Sequence, residues 1–159
     1  EVKLAITKEA LVCAAARFIT FAGHRCEKLH GHNYRASLLV EGALEEDSWF
    51  VVDFSAVKKV MRALTAELDH RVLLPRDNPK LAISEENGSV LVAFDGDPRY
   101  VFPAGDCVIL PIPNTTVEML AQYLAGRVRA ELRATHLKTI EVEVEENFGQ
   151  SASYRETLD

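Results

Sequence analysis

Two segments of the chain carry hydrophobic residues at helical spacing. In the first, the apolar positions lie three or four residues apart: Val57, Val60, Met61, Leu64 and Leu68. This spacing places them on one face of a helix. Asp53-Phe54-Ser55 precedes the repeat, and Ser55 is predicted to cap the helix. The helix is expected to end near Asp69-His70, because Pro75 prevents a continuation.

The second helix is predicted to begin at Thr115-Thr116-Val117-Glu118, where Thr115 and Glu118 have the spacing of a capping box. Its apolar face follows at helical intervals: Leu120, Tyr123, Leu124 and Val128. Elsewhere, alternating or short continuous apolar runs predict strands. These runs are Ala10–Phe21, Asn33–Glu41, Val90–Phe94, Tyr100–Phe102, Val108–Leu110, Ile140–Glu145 and Ser151–Thr157.

The order of these elements predicts an α+β fold, in which an antiparallel sheet carries two helices on one face. Gly42 is predicted to form the turn after the second strand. Hydrophobic residues make up 48% of the 159 residues, which is enough for one domain with a buried core. The chain is therefore predicted to be a single domain over residues 1–159, with a strand-rich insertion at about 77–113.

Charge and cysteine content narrow the class of protein. The net charge is −6 without a basic block, which argues against nucleic acid as a partner. The apolar stretch Ala10–Ala22 is interrupted by Arg17 and is too short to span a bilayer, so no membrane association is expected. Three unevenly spaced cysteines argue against a disulfide framework and for a reducing, cytoplasmic location. Cys13 and Cys107 lie in apolar strands and are predicted to be packing residues.

The candidate chemistry is concentrated in one short segment, where His24, His30 and His32 lie within nine residues. His30 and His32 are two positions apart, so on an extended strand their side chains point to the same face. His24 could reach the same point after a short bend at Gly23. Three imidazole nitrogens with an open fourth position suit zinc better than calcium or magnesium. The pattern predicts an open zinc site; the alternative is that the histidines only decorate a strand.

Cys26 lies inside the same segment. With Arg25, Lys28 and a metal ion beside it, its thiol pKa is expected to be lowered, which favours a reactive thiolate. Two other interpretations stay open. Cys26 could be a fourth zinc ligand, which would close the site and make it structural, or it could be a buried apolar residue.

Two further positions carry candidate acid–base or binding groups. Asp69 could fix the tautomer of a general acid–base residue, His70; the alternative is a histidine favoured at a helix C-terminus by the helix dipole. Glu145 and Glu146 point to opposite faces of their strand, so at most one can enter a site. Glu146 is the better candidate because the strand ends just after it, at Asn147.

Taken together, these motifs resemble the 6-pyruvoyltetrahydropterin synthase and 6-carboxytetrahydropterin synthase family. They occur in order along most of the chain: Phe21–His24, Cys26–Tyr34, Val52–Phe54, Leu68–Arg71, Asn114–Glu118, and Glu146 with Tyr154. The cysteine four residues before His-Gly-His is a specific motif. The resemblance implies a tunnelling fold, in which a four-stranded antiparallel sheet with two helices trimerises into a barrel, and two barrels commonly stack into a hexamer.

The resemblance also implies roles for particular residues. It implies Zn²⁺ held by His24, His30 and His32. It implies Cys26 as the catalytic base and Asp69 with His70 as a proton-relay pair. It implies that Glu146 anchors a pterin ring, with Thr116 and Glu118 near the same pocket. The spacer between His24 and Cys26 is a single residue, whereas relatives usually carry a longer loop.

The substrate implied is 7,8-dihydroneopterin triphosphate, a small pterin whose phosphates need local positive charge. The candidates for that charge are Arg17, Arg25, Lys28, Arg35 and Arg71. The favoured product is 6-carboxy-5,6,7,8-tetrahydropterin, a precursor in queuosine biosynthesis, ahead of 6-pyruvoyl-tetrahydropterin. Members that use glutamate in place of cysteine resemble retro-aldol enzymes that give 6-hydroxymethyl-7,8-dihydropterin for folate.

A chain with both Cys26 and Glu27 resembles the group able to serve either pathway, and the alternative for Glu27 is a surface side chain. Two hypotheses from other classes stay open. One is a thiol hydrolase built from Cys26, His70 and Asp69. The other is a non-catalytic module in which Cys26 completes a structural zinc site.

Overall fold

The computed structural model describes residues 1–7, 11–132 and 136–158. Within these ranges the chain forms two α-helices and twelve β-strands. The first half contains β1 (Val2–Ile6), β2 (Val12–Arg17), β3 (Thr20–Phe21), β4 (Arg25–Cys26), β5 (His30–Gly42), α1 (Phe54–Leu68) and β6 (Arg71–Pro75). The second half contains β7 (Leu81–Glu86), β8 (Ser89–Phe94), β9 (Asp97–Pro103), β10 (Cys107–Leu110), α2 (Val117–Glu131), β11 (Leu137–Asn147) and β12 (Gln150–Thr157).

Seven of the described strands form one mixed sheet in the order β10-β6-β2-β5-β11-β12, with β1 paired to β5. Strands β2, β5, β11 and β12 are antiparallel neighbours, which confirms the predicted antiparallel core. The prediction of only four strands was wrong, because β6 and β10 extend the sheet in parallel beside β2. A short apolar run such as Arg71–Pro75 has no periodicity that identifies it as a strand, so β6 was missed.

Both helices pack against the same face of this sheet and share one hydrophobic core. The core includes these side chains from the two predicted helical faces: Val57, Met61, Leu64, Leu68, Leu120, Leu124 and Val128. Alternating residues of β11, such as Val142 and Val144, meet them from the sheet. The predicted helix positions and the placement of both helices on one face are therefore confirmed.

The two helix caps each lie one or two residues from the predicted position. Asp53 caps α1, and its carboxylate accepts a hydrogen bond from the Ser55 amide at 2.9 Å. Thr116 caps α2, and its hydroxyl accepts from the Met119 amide at 3.3 Å. Thr115 is instead fully buried, so the capping box predicted from Thr115 and Glu118 is not formed. Sequence spacing alone did not identify which of two adjacent polar residues faces the helix end.

The segments on either side of the histidine motif also differ from the prediction. Residue 10 lies outside the described residues, and the first predicted strand divides into β2 and β3, separated by Phe18, which is completely buried. Strand β5 begins at His30 rather than at Asn33, so the His-Gly-His motif lies within a strand. Gly42 ends this strand and is not a turn; a Cβ there would lie 2.5 Å from the His136 carbonyl oxygen.

The predicted insertion forms its own antiparallel sheet from β7, β8 and β9. It packs around an apolar cluster that includes Phe18, Leu74, Val90, Val92 and Cys107. The last strand of the segment, β10, leaves this small sheet and pairs with β6 of the main sheet. Cys13 and Cys107 are both buried, as predicted. Of the helices within the described residues, neither is long and apolar enough to cross a membrane.

Candidate functional site

Two adjoining grooves lie at the end of the sheet where β2 and β5 pair. The larger has a volume of about 500 Å³, and His70 and Arg71 are among its lining residues. The smaller has a volume of about 300 Å³, and Glu146 and Phe148 are among its lining residues. Three residues line both grooves: Gly31, His32 and Asn33. His32 therefore lies between the acid–base candidate His70 and the anchor candidate Glu146.

The strand register explains why the polar side chains converge. In the antiparallel pair of β2 and β5, Arg17 is opposite His30 and Ala15 is opposite His32. Opposite residues in such a pair point to the same face, as do residues two apart along a strand. Arg17, His30 and His32 therefore share the helix-facing side of the sheet. The rings of His30 and His32 meet edge to face, with their centroids 4.8 Å apart.

Arg17 occupies the centre of this group. Its side chain is buried and forms an ion pair with Glu146. One guanidinium nitrogen, Nη1, donates to the Thr115 carbonyl oxygen at 2.9 Å. The other, Nη2, lies 3.5 Å from Nε2 of His32. Because this nitrogen is a donor, Nε2 of His32 is the acceptor; partial burial and the charge on Arg17 lower the pKa of His32 and favour its neutral form.

His24, the third predicted zinc ligand, lies apart from the other two. Its ring is almost fully exposed, at 91% of its side-chain area, and its Nδ1 is 2.8 Å from a carboxylate oxygen of Asp95. Lys80 fixes the adjacent turn by donating to the carbonyl oxygens of Phe21 and Gly23, at 2.7 and 2.5 Å. No group of three or more His, Cys, Asp or Glu side chains in the described part of the chain is arranged to hold a metal. The three histidines as placed do not fit a zinc ion, and zinc stays a prediction of the resemblance.

Cys26 ends β4 and Glu27 directly follows it, and the two side chains have different surroundings. Cys26 packs against the apolar cluster of the insertion. Burial raises the pKa of its thiol, while Arg99 opposes the shift and the carboxylates of Glu27 and Asp95 add to it. The guanidinium of Arg25, one of the predicted cationic neighbours, lies over the Phe21 ring.

Glu27 directs its carboxylate inward. Its Oε1 lies 3.5 Å from Nδ1 of His30 and accepts a hydrogen bond from the Ile19 amide at 3.3 Å. Its own amide donates to the Ile19 carbonyl oxygen at 2.9 Å. Glu27 is 31% exposed in its side chain and so is not a free surface residue. Of the two candidate bases, the carboxylate is the one in contact with the histidine pair.

Asp69 and His70 are in direct contact. Nδ1 of His70 lies 3.1 Å from Oδ2 of Asp69, and Oδ1 accepts a hydrogen bond from the Ala14 amide at 2.8 Å. These bonds hold the pKa of Asp69 below its usual value, with the Ala14 amide as the largest cause. The His70 amide in turn donates to the Ala14 carbonyl oxygen at 2.6 Å, with His70 itself in the left-handed region at φ 57°. The imidazole is thereby directed into the larger groove.

The three predicted binding residues fall in different surroundings. Glu146 lies in the smaller groove, paired with Arg17. Thr116 caps α2, and Glu118 is exposed in the first turn of that helix. The neighbouring Thr115 contacts Arg17 instead, because its carbonyl oxygen accepts a hydrogen bond from the guanidinium. In the sequence, Thr115 stands beside the start of a helix, and this position predicted a helix cap rather than a contact with Arg17.

Asp95 was not among the predicted site residues, and Arg17 was predicted only as a possible phosphate contact. No local pattern marks either one, because their partners are distant in sequence. Arg17 and Glu146 are 129 positions apart, and His24 and Asp95 are 71 apart. A lone arginine in an apolar strand is the one signal that could have drawn attention to Arg17, since a charged side chain is rarely buried without a partner.

Similar proteins place this chain among pterin-forming enzymes of the lyase or aldolase type. The family model described as 6-pyruvoyl tetrahydropterin synthase matches residues 5–157, and the chain belongs to this family. A protein of Methanocaldococcus jannaschii, named provisionally as a 6-carboxy-5,6,7,8-tetrahydropterin synthase, is 32% identical over 144 residues, covering 89% of this chain and 88% of its own. The family acts on a small-molecule pterin.

Two other similar proteins bear on the chemistry. A dihydroneopterin monophosphate aldolase of Pyrococcus furiosus is 43% identical over 54 residues, which cover 33% of this chain and 46% of that protein. The 6-pyruvoyltetrahydropterin synthase of Plasmodium vivax superposes with a TM-score of 0.91 at 30% identity, covering 99% of this chain and 98% of its own. That structure is of a catalytic-residue variant in which a glutamate is replaced by alanine.

Proposed function

We propose that this protein is a lyase that converts 7,8-dihydroneopterin triphosphate to 6-carboxy-5,6,7,8-tetrahydropterin. The observation that carries the proposal is the shared lining of the two grooves by Gly31, His32 and Asn33. A single ligand can therefore contact Glu146 in one groove and His70 in the other. The name of the Methanocaldococcus jannaschii relative, which covers 89% of this chain, supports the same product.

Three of the predicted residues have a task in this reaction: Glu146, His70 and Asp69. The Glu146 carboxylate would accept hydrogen bonds from the guanidine-like edge of the pterin and fix the ring. The substrate side chain would then extend past His32 towards His70. His70, oriented by Asp69, would move protons on and off the side-chain oxygens. A base at the end of β4, either Cys26 or the following Glu27, would remove a proton from a side-chain carbon.

The identity of that base separates the favoured function from a second candidate. Cys26 is the base implied for the favoured product. Glu27 would serve the alternative, retro-aldol cleavage to 6-hydroxymethyl-7,8-dihydropterin. The contact between Glu27 and His30 favours this second candidate, and so do the aldolase and the catalytic glutamate among the similar proteins. The resemblance also implies zinc, but no step here is routed through a metal, because His24 and the histidine pair lie apart.

Mass spectrometry of the products formed from 7,8-dihydroneopterin triphosphate tests the proposal. We expect 6-carboxy-tetrahydropterin from the wild type and from Glu27→Gln, and none from Cys26→Ala. Formation of 6-hydroxymethyl-dihydropterin that is lost in Glu27→Gln and kept in Cys26→Ala would establish the second candidate instead. Glu46→Gln, in an exposed loop, is the matched control for the loss of one carboxylate. Absence of both products from the folded wild type would contradict both candidates.

We also propose that the protein is a homo-oligomer, a trimer or a hexamer. Strands β10 and β12 lie at the two ends of the main sheet, where a neighbouring copy can add to the strand order. Barrel formation would need such pairing on both edges. Light scattering after size exclusion should give three or six times the 17.7 kDa chain mass, and a monomer would contradict this.

A further inference from the structure

The centre of the histidine group already contains a cation. Arg17 is only 5% exposed and reaches Glu146, the Thr115 carbonyl oxygen and His32 at once. A guanidinium does not lose its proton in proteins, so this positive charge is permanent. A charge buried this deeply is retained only when it is paired, and Glu146 supplies the pairing carboxylate.

The lone pair that a metal would need is turned towards this guanidinium. Nε2 of His32 lies 3.5 Å from Nη2 of Arg17, which can only donate. A divalent ion bound to Nε2 would have to lie against the guanidinium, and like charges at that separation repel strongly where water is excluded. Neither the ring position of His32 nor the charge beside it favours a metal.

The remaining predicted ligand is held elsewhere by the insertion. A carboxylate oxygen of Asp95 accepts a hydrogen bond from Nδ1 of His24. Lys80 donates to the carbonyl oxygens of Phe21 and Gly23, in the turn that precedes His24. To join His30 and His32, His24 would have to leave Asp95 and the turn would have to be remodelled. The short spacer of one residue before Cys26 gives little length for such a change.

We propose that Arg17 is the resident cation of this site and takes the place of the zinc ion that the resemblance implies. Its guanidinium supplies the fixed positive charge between His32 and Glu146. Its Nε–H group is buried and has no partner among the described residues, so this charge is balanced through the two terminal nitrogens alone.

The strand register also shows which change would create a metal site. Residue 17 lies opposite His30, and Ala15, two residues before it, lies opposite His32. An imidazole at position 17 would therefore share a face with both histidines on adjacent strands. Three imidazoles arranged in this way match the ligand set of an open zinc site. Arg17→His is thus expected to gain zinc binding.

Zinc titration against a chromogenic chelator measures this directly. We expect the wild type and Arg17→Lys to bind no stoichiometric zinc, and Arg17→His to bind about one ion per chain. The affinity of Arg17→His for zinc should be roughly 100-fold higher than that of the wild type, as expected for one added ligand. His24→Ala should leave the metal content of the wild type unchanged. The absorption spectrum of the cobalt-substituted variant would show whether the new site is tetrahedral.

One result of the zinc titration would contradict the proposal. Tight binding of one zinc ion per wild-type chain, abolished by His24→Ala, would overturn the proposal and restore the three predicted ligands. This test decides the matter even if Arg17→His fails to fold, because it uses only the wild type and a substitution at an exposed residue. The inference rests on the site assigned in the proposed function. Metal binding does not depend on the product formed, so the failure of one can be told from the failure of the other.

Discussion

The guanidinium of Arg17 and the carboxylate of Glu146 form a buried ion pair that joins β2 to the end of β11. The Arg17 side chain is 6% exposed and that of Glu146 is 19% exposed, so water screens the pair only weakly. Glu146 also lines the smaller groove, so the pair fixes one of the side chains of that groove.

Replacing Glu146 by glutamine should lower the free energy of unfolding by about 1–3 kcal/mol, because the amide keeps an acceptor but loses the charge that balances Arg17. Urea denaturation at neutral pH measures the change. Glu46→Gln should differ from the wild type by less than about 0.5 kcal/mol. Equal stability of Glu146→Gln and the wild type would show that Arg17 does not need this charge.

Asp69 gives the stability a dependence on acid pH. Its folded-state pKa lies below its unfolded value, chiefly through the Ala14 amide. Its carboxylate therefore stabilises the fold fully above the unfolded pKa, and this contribution is lost as the pH falls through the folded pKa. The wild type should melt at a higher temperature than Asp69→Asn at pH 7, with the difference shrinking below about pH 4. A difference that stays constant down to pH 2 would rule out this origin.

Thr115 is completely buried and donates its hydroxyl to the Phe18 carbonyl oxygen at 2.9 Å. Thr115→Val keeps the shape of the side chain but leaves that buried oxygen without its donor. We expect a loss of about 1–2 kcal/mol in the free energy of unfolding. Thr157→Val, at an exposed position of β12, is the matched control and should lie within about 0.5 kcal/mol of the wild type. A similar result for both variants would mean that water replaces the lost donor.

Lys80 ties the insertion to the β3–β4 ribbon through the carbonyl oxygens of Phe21 and Gly23. Lys80→Met should speed amide hydrogen exchange at Glu27, whose N–H bonds to Ile19 at the base of the ribbon. Global stability should change by less than about 1 kcal/mol, because the lysine lies near the surface. Lys59→Met, on the exposed side of α1, should leave exchange at Glu27 unchanged. Unaltered exchange in Lys80→Met would show that the ribbon is held by other contacts.

The sequence was sufficient where the physical signal was local. Helical periodicity located the cores of α1 and α2, and the two-residue spacing of His30 and His32 placed both on one face of a strand. Contacts that depend on the sheet register were not visible. The meeting of Arg17 with Glu146 requires β2, β5 and β11 to be adjacent, and the meeting of His24 with Asp95 requires the insertion to fold back. A resemblance in motif order gave the family, but the position of each side chain depended on these long-range contacts.

The backbone at His70 limits what can replace this residue. A left-handed φ is strained for most side chains and is adopted more readily by glycine, asparagine and aspartate. An alanine at this position would lose the imidazole and keep the strain, so a fall in activity could reflect misplacement of Asp69 as well as missing proton transfer. Asparagine tolerates the same backbone and separates the two effects. The residue at the end of α1 thus meets two independent requirements, one from chain geometry and one from chemistry, and few amino acids satisfy both.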